Sequence, residues 1–424
     1  MKLLHIIPTY KPATGYGGPI ISIAMLCENL VTYAGCDVTV AATNANVKKD
    51  LPVHSRTPVL VEGVKVYYFR RITPDHSQLS PSLLWWLWRN VRTFDAVHIH
   101  SWWNLTVLFA TMVCILRGVK PILAPRGMLS AFSLTGRFKP LFHRLIGQKL
   151  LKNTFLHATS EQEARECAAL IPTWQAANLP NFLDLTTLPT FSNVEFQILE
   201  DVSTLDIENS TLKDVPKSEI QNPKSKDPSV FEVENAPFRL LFLSRLHQKK
   251  GVEILFEALA KVPFEWTLTI AGDGETDYLE QLKKLSDNLR ISHKINWLGW
   301  IDAKNKWAIY QNADLLVLPS HNENFANVVI ESLAVGTPVL VSQYVGLSDY
   351  VLEKKMGWVC DTTVQSLRET LTESYHQKAE RHAINVRSPQ QIRQDFDPSV
   401  LAQRYVEMYQ NQACRKVFLE AAYF

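Results

Sequence analysis

The run Ala313-Asp314-Leu315-Leu316-Val317-Leu318-Pro319 limits the fold more than any other feature of the chain. Its apolar residues are consecutive, not alternating, and it stops at a proline. A strand with one wet face would alternate; this pattern suits a parallel strand covered by helices on both faces. Further strands are expected at Leu3–Pro8, Val38–Thr43, Val64–Phe69, Asp95–His100, Pro121–Pro125 and Leu156–Ser160, then at Arg239–Ser244, Trp266–Ala271, Ile295–Trp300 and Pro338–Ser342. Several of these runs lead into polar or glycine-rich loops, which then sit at the carboxyl edge of a sheet, where open α/β folds bind ligands. The expected class is α/β, built from Rossmann-like units.

A length of 424 residues favours two domains. Between about Leu188 and Pro237 the periodicity fails and proline, serine and asparagine accumulate. The expected division is therefore 1–187, a linker or insertion at 188–236, a second domain at 237–394, and a final helix in 395–424 returning to the first domain. The net charge of +2 gives no reason to expect a nucleic-acid partner, and the six cysteines show no pairing or metal spacing. They read as reduced core residues of a cytoplasmic protein. Met1–Pro8 is too short for a signal peptide. The longest apolar candidate, Val107–Leu116, is too short to span a bilayer.

The loop Thr9–Gly18 and the helix expected over Pro19–Tyr33 follow the first strand. Gly15, Gly17 and Gly18 do not fit G-x-G-x-x-G, which disfavours a dinucleotide enzyme. Asp395-Phe396-Asp397 has the D-x-D form of a metal motif, but Asp397 as N-cap with Pro398 at the first helical position accounts for it. No metal or other cofactor is expected. Leu134–Lys152 is basic and amphipathic. It reads either as a helix resting on anionic lipid headgroups or as a core-packing helix with a wet basic face.

The stretch Ser320–Pro338 carries the chemistry. A polar loop, His321–Asn324, precedes a helix expected over Phe325–Val335, closed by Gly336 and Pro338. Glu323 lies in the loop and Glu331 in the helix. Eight helical residues rise about 12 Å and end about 80° out of alignment, so the two acids do not share one proton or metal. They suit an elongated ligand whose anionic middle faces the helix N-terminus. Glu331, flanked by Val328, Val329, Ile330, Leu333 and Ala334, is a poor candidate for a solvated helix residue.

This stretch resembles the E-x7-E signature of retaining glycosyltransferases of family four, which have the GT-B fold of two Rossmann-like domains facing across a cleft. The resemblance implies sugar transfer from a nucleotide-diphospho-sugar, a co-substrate, to a hydroxyl without metal, with acceptor bound to the first domain and donor to the second. It implies that Glu323 faces the donor sugar and Glu331 the ribose, with Asn324, Phe325, Ala326 and Asn327 lining the donor site between them. Arg245-Leu246-His247-Gln248-Lys249-Lys250-Gly251 resembles the family element whose Arg and Lys hold the diphosphate, here Arg245 and Lys250, with Ser244 replacing a glycine. Gly272 begins the turn Gly272-Asp273-Gly274, assigned to the donor site. Gly17 and Gly18 match a glycine pair beside the donor phosphate, or form a plain tight turn. Pro125-Arg126-Gly127 departs from the family's Pro-His-Gly and resembles Pro-Arg-Gly-Met-Leu variants in surface-polysaccharide transferases. Arg126 reads either as a cation for an anionic substrate or as the partner of a structural carboxylate. Gly346–Asp349 resembles the loop that closes the donor pocket. The implied acceptor is a hydroxyl, as on a lipid-linked glycan, met at the cytoplasmic face of a membrane. An epimerase or hydrolase of the same fold, or a non-catalytic donor-binding subunit, would share the donor motifs.

Overall fold

The computed structural model describes residues 1–13, 17–46, 50–52, 57–73, 77–135, 138–184, 188, 236–301 and 305–413. Apart from Leu188 and Ala236, the expected linker lies outside the described residues. The chain opens with β1 (Lys2–Ile7), α1 (Gly18–Ala34), β2 (Asp37–Thr43), β3 (Val59–Val61), β4 (Val64–Phe69) and α2 (Pro81–Asn90). Then come β5 (Ala96–His100), α3 (Leu105–Leu116), β6 (Ile122–Ala124), α4 (Phe138–Phe142) and α5 (Gln148–Lys152). The first half closes with β7 (Phe155–Ala158), α6 (Glu161–Leu170) and β8 (Ala176–Asn178). Among the described residues these strands form one sheet in the order β3-β4-β2-β1-β5-β6-β7-β8. All pairings are parallel except that of the short edge strand β3 with β4.

The second half runs β9 (Phe238–Leu243), α7 (Val252–Leu259), β10 (Trp266–Ala271), α8 (Thr276–Asn288), β11 (Ile295–Gly299) and α9 (Lys306–Gln311). It continues with β12 (Leu315–Leu318), α10 (Asn327–Ala334), β13 (Val339–Ser342), α11 (Ser348–Glu353), β14 (Gly357–Cys360), α12 (Val364–His376) and α13 (Lys378–Asp395). Its sheet is wholly parallel, ordered β11-β10-β9-β12-β13-β14. Strands β5 and β12 are buried at every residue, β12 as its unbroken apolar run requires and β5 with His98 and His100 among its buried side chains. Strand order reverses between β1 and β5 in the first sheet and between β9 and β12 in the second. The crevice at such a switch point is where a doubly wound sheet takes its ligand. Both switch points carry the loops singled out from the sequence.

The last helix, α14 (Pro398–Ala413), lies on α1 beneath the first sheet. Its Leu401, Tyr405 and Tyr409 are buried with Ile23, Cys27 and Leu30 of α1. Asp397 caps α14, accepting from Ser399 N at 2.9 Å and Val400 N at 3.0 Å. Asp395 turns elsewhere, to the Tyr350 hydroxyl at 2.8 Å and Lys354 at 3.2 Å. The two aspartates thus have separate partners. The five described cysteines are free and buried.

Candidate active site

The loops at the carboxyl ends of the two sheets meet at Asn324. Its amide donates to Thr159 Oγ1 at 2.7 Å, and its carbonyl accepts from Ser160 Oγ at 2.9 Å. Both partners belong to the turn between β7 and α6. That turn is fixed from behind by Glu163, which is buried and accepts from Thr159 N at 2.9 Å and Gly127 N at 2.7 Å. One carboxylate therefore ties the loop after β6 to the loop after β7, and both press on Asn324. Gly127 has φ +76°, and a side chain there would come within 3.0 Å of Asn324 Cβ.

Glu323 precedes this contact. Its backbone is zipped to the loop after β13, with Glu323 N donating to Tyr344 O at 3.0 Å and Gly346 N to Glu323 O at 2.8 Å. Its carboxylate is ion-paired with Lys250 Nζ, and both side chains are largely shielded. Arg245 is exposed and has no hydrogen-bonding or ion-pairing partner among the described residues. Lys249, which the sequence reading passed over, places its ammonium 5.2 Å from the Phe132 ring of the first domain. Burial pulls its pKa below the usual lysine range, and nearby Glu323 opposes the shift.

Helix α10 begins at Asn327, two residues later than expected, because Ala326 is left-handed at φ +72°. No side chain caps its N-terminus. Such an end leaves backbone N–H groups and the positive pole of the helix for an anion. The Phe325 side chain is buried against the Phe396 ring at 6.4 Å, so any ligand contact from Phe325 would come from its backbone. Glu331 is held by Lys306 Nζ at 3.0 Å and by the hydroxyl of fully buried Tyr310 at 2.9 Å. Burial, with the Glu331 charge beside it, raises the Tyr310 pKa well above the ordinary value. Neither partner carried a sequence signal, since both lie on a short helix more than twenty residues upstream.

Gly272 serves close packing. With φ +140°, its missing side chain would stand 1.9 Å from Ser244 O, in the loop that carries Arg245. Gly17 and Gly18 stand at the uncapped start of α1, where a side chain at either would meet open space. Among the described residues Arg126 makes no ion pair with a carboxylate, though the charge of Glu163 acts on it. Its guanidinium donates to the Asn181 carbonyl oxygen, and Asn181 Nδ2 reaches Asn327 Oδ1 at 3.4 Å. An arginine beside Glu163 thus reaches the first turn of α10 through one amide.

Behind Arg126 lies a polar core that the sequence reading missed. His5 Nδ1 meets His100 Nε2 at 3.0 Å, His98 Nε2 meets His157 Nδ1 at 3.2 Å, and His98 Nδ1 meets the Tyr409 hydroxyl at 3.0 Å. All four histidines are buried. Burial, aided by the Arg126 charge, pushes His5 and His157 down to about 3, and His98 and His100 also fall well below the ordinary value. Ring nitrogens of His5, His98 and His100 lie within 4.8 Å of one another. Four of their six ring nitrogens are engaged with one another, with His157 or with Tyr409, while His5 Nε2 and His100 Nδ1 have no partner among the described residues; a dication there would face the Arg126 guanidinium in a dry interior. The arrangement suits neutral rings, each of which makes at least one hydrogen bond.

The basic stretch 134–152 differs from the single helix expected. Described helix begins at Phe138 and contains a π turn over His143–Gly147; residues 136 and 137 lie outside the described residues. Its Leu141, Leu145 and Ile146 face solvent, while Leu151 enters the core. Among the described residues, no helix is long and apolar enough to cross a membrane.

Comparison with known proteins fits this geometry. Residues 17–181 match the family model described as glycosyl transferase 4-like domain, and residues 224–391 match glycosyl transferases group 1. An uncharacterized glycosyltransferase of Methanocaldococcus jannaschii is 38% identical over 124 residues, 28% of this chain and 31% of that protein. A glycogen synthase of Mycobacterium tuberculosis is 32% identical over 184 residues, 41% of this chain and 42% of the relative. The matched parts thus span about a third to two fifths of those relatives. Sucrose-phosphate synthase from Thermosynechococcus elongatus superposes with a TM-score of 0.67 at 16% identity, covering 97% of this chain and 98% of that one. Anabaena HepE, solved with UDP, gives 0.68 at 18% identity, covering 97% and 100%. These structures share the fold. Two family models in succession, one on each parallel sheet, place this chain among the group 1 glycosyltransferases of the GT-B fold.

Proposed function

We propose that the protein transfers a sugar from a nucleotide-diphospho-sugar to a hydroxyl, with retention of configuration and without a metal, in the synthesis of a surface polysaccharide or glycolipid. The observation that carries the reading is the placement of Glu323, paired with Lys250, beside the uncapped start of α10, with Glu331 one turn further along that helix. In this reading the diphosphate takes Lys250 from Glu323 and sits between Lys250, Arg245 and the helix N-terminus. The bond from the anomeric carbon to the diphosphate breaks there, and fixed cations stabilise the charge of the leaving group. Glu323, freed of its cation, faces the sugar as positive charge develops. Glu331 accepts from the ribose hydroxyls; two donors occupy part of its acceptor capacity and leave room for more. Gly17 and Gly18 approach the donor from the first domain. Arg126 acts through Asn181 on the first turn of α10.

The HepE complexes with UDP and UDP-glucose make UDP-sugars the first donors to test. The acceptor hydroxyl belongs to the first domain, on a lipid-linked glycan, with residues 134–152 against an anionic membrane surface on its cytoplasmic face. The test is a thermal-shift screen of nucleotide-sugars, followed by product analysis with the donor that binds. A new glycoside of retained configuration is expected. Free sugar as the main product, with acceptors present, would point to a hydrolase, and stabilisation by no nucleotide-sugar would overturn the donor assignment.

A further inference from the structure

The outer surface of the first domain is apolar and basic over three neighbouring helical segments. Helices α2 and α3 pack together, and the Trp103 ring ahead of α3 meets Phe142 of α4 at 5.9 Å. Their inner sides share one core through Leu83, Val107 and Leu151. Their outer sides expose Trp85 and Trp88 on α2, Phe109 and Leu116 on α3, and Leu141 and Leu145 in the segment that follows. Trp85 is 58% exposed and Leu116 63%. Scattered single apolar residues need no explanation, but an apolar group of this extent marks a contact surface.

Charge identifies the partner. Between Pro81 and Lys152 the chain has nine Arg and Lys residues besides Arg126 of the candidate site, and one acid, Asp95, although the whole chain is only +2. Asp95 is occupied by Lys2 N at 2.7 Å. Two of the cations lie on the exposed tryptophans, Arg89 at 4.5 Å from the Trp85 ring and Arg117 at 5.0 Å from Trp88. Tryptophan beside arginine is the pairing that sits at headgroup level, the ring in the acyl boundary and the cation on phosphate. A second copy of the chain would bring two like-charged patches together across a twofold axis.

We propose that the outer face of α2, α3 and the α4–α5 segment docks as one surface on an anionic phospholipid bilayer, with Trp85 and Trp88 as its interfacial anchors. This rests on the membrane contact proposed above and widens it from the 134–152 segment to two further helices. Each cation near such a surface raises partitioning about fivefold.

The test is sedimentation of the full chain with vesicles of phosphatidylcholine alone and with phosphatidylglycerol added. Binding is expected only with phosphatidylglycerol. It should fall at least tenfold in Trp85→Ser/Trp88→Ser and about 25-fold in Arg89→Glu, whose reversal changes the charge by two. Unchanged melting temperatures would show that these exposed substitutions leave the fold intact. Binding unaffected by the α2 variants but lost in Lys139→Glu/Arg144→Glu/Lys149→Glu would overturn the wide surface and keep the narrow one. Equal binding to both vesicles would overturn the electrostatic argument. No vesicle binding, with self-association that Trp85→Ser/Trp88→Ser abolishes, would assign the surface to a second copy. Turnover on a soluble acceptor is read separately, so failure of docking and failure of the transferase reading are distinguishable.

Discussion

Gly346→Ala should lower turnover without removing any side chain assigned to the donor. The backbone at Gly346 lies outside the left-handed region, so the cost is one of contact alone. An alanine Cβ would stand 1.9 Å from Asn324 O and 2.8 Å from Ser160 Oγ. An ordinary contact begins near 3.4 Å, so the loops must part by about 1.5 Å. The atoms that must yield are backbone on one side and the clasp of Asn324 by Ser160 on the other. Glu323 lies between them, tied to residue 346 by a 2.8 Å hydrogen bond. A displacement on the order of 1 Å at a reacting centre costs about 10²-fold in rate. Overpacking of this kind costs about 1–3 kcal/mol, or roughly 2–12 °C in melting temperature for a domain of this size. Steady-state kinetics should therefore show kcat reduced about 100-fold. Calorimetry with the bare nucleotide should show little change, because Glu331 is held separately by Lys306 and Tyr310. A variant with wild-type kcat and melting temperature would refute the reasoning, since the loops would then have room that the structure does not give them.

Other outcomes can be read with the same assays. Arg245→Ala and Lys250→Ala should each lose about 10²–10³-fold in transfer with the fold intact, by loss of one cation from the leaving group; near-full activity in both would remove the diphosphate assignment. Glu331→Gln should mainly raise KM and weaken bare nucleotide binding, while Glu323→Gln should mainly lower kcat; the opposite pattern would reverse the donor. Transfer should persist in EDTA, and a loss restored by Mg²⁺ or Mn²⁺ would show that a metal takes part. Stability should fall in mild acid. The buried histidines titrate near 6.5 when unfolded but are held neutral when folded, His5 and His157 down to about 3. The unfolded state thus binds more protons between those values, so stability is full above pH 6.5 and declines below it by about 1.4 kcal/mol per pH unit for each histidine. A urea midpoint constant from pH 7.5 to 5.5 would contradict this.

Sequence reading reached the features that are written locally. Runs rich in apolar and β-branched residues mark the long strands β1, β2, β4, β5, β9 and β10, and Asp397-Pro398 announces a helix start that the structure places there. It missed elements whose local pattern is weak. Helix α13 carries Pro389 in its interior and is polar over most of its length, and β3 is a three-residue edge strand. Partnerships between distant elements were also illegible. Nothing near Arg126 points to Asn181, 55 residues on, and nothing near Glu331 points to Tyr310. In 134–152 the periodicity reveals an apolar stripe but not what covers it. Part of that stripe is bare because the segment is broken by a π turn and sends Leu151, not Leu145, into the core.

The return of α14 to the first sheet bears on how the chain is made. Leu401, Tyr405 and Tyr409 complete the core around α1, and the Tyr409 hydroxyl satisfies His98. These residues are synthesised after both sheets. The strands of the second sheet and the helix α13 against it have all left the ribosome before α14 appears. The domain made first must therefore wait, with one apolar face and a polar core uncovered, while the domain made second folds. A chain truncated before Pro398 would hold a complete second sheet with its helices and an unfinished first domain, and the presence of Pro398–Ala413 would be what closes it.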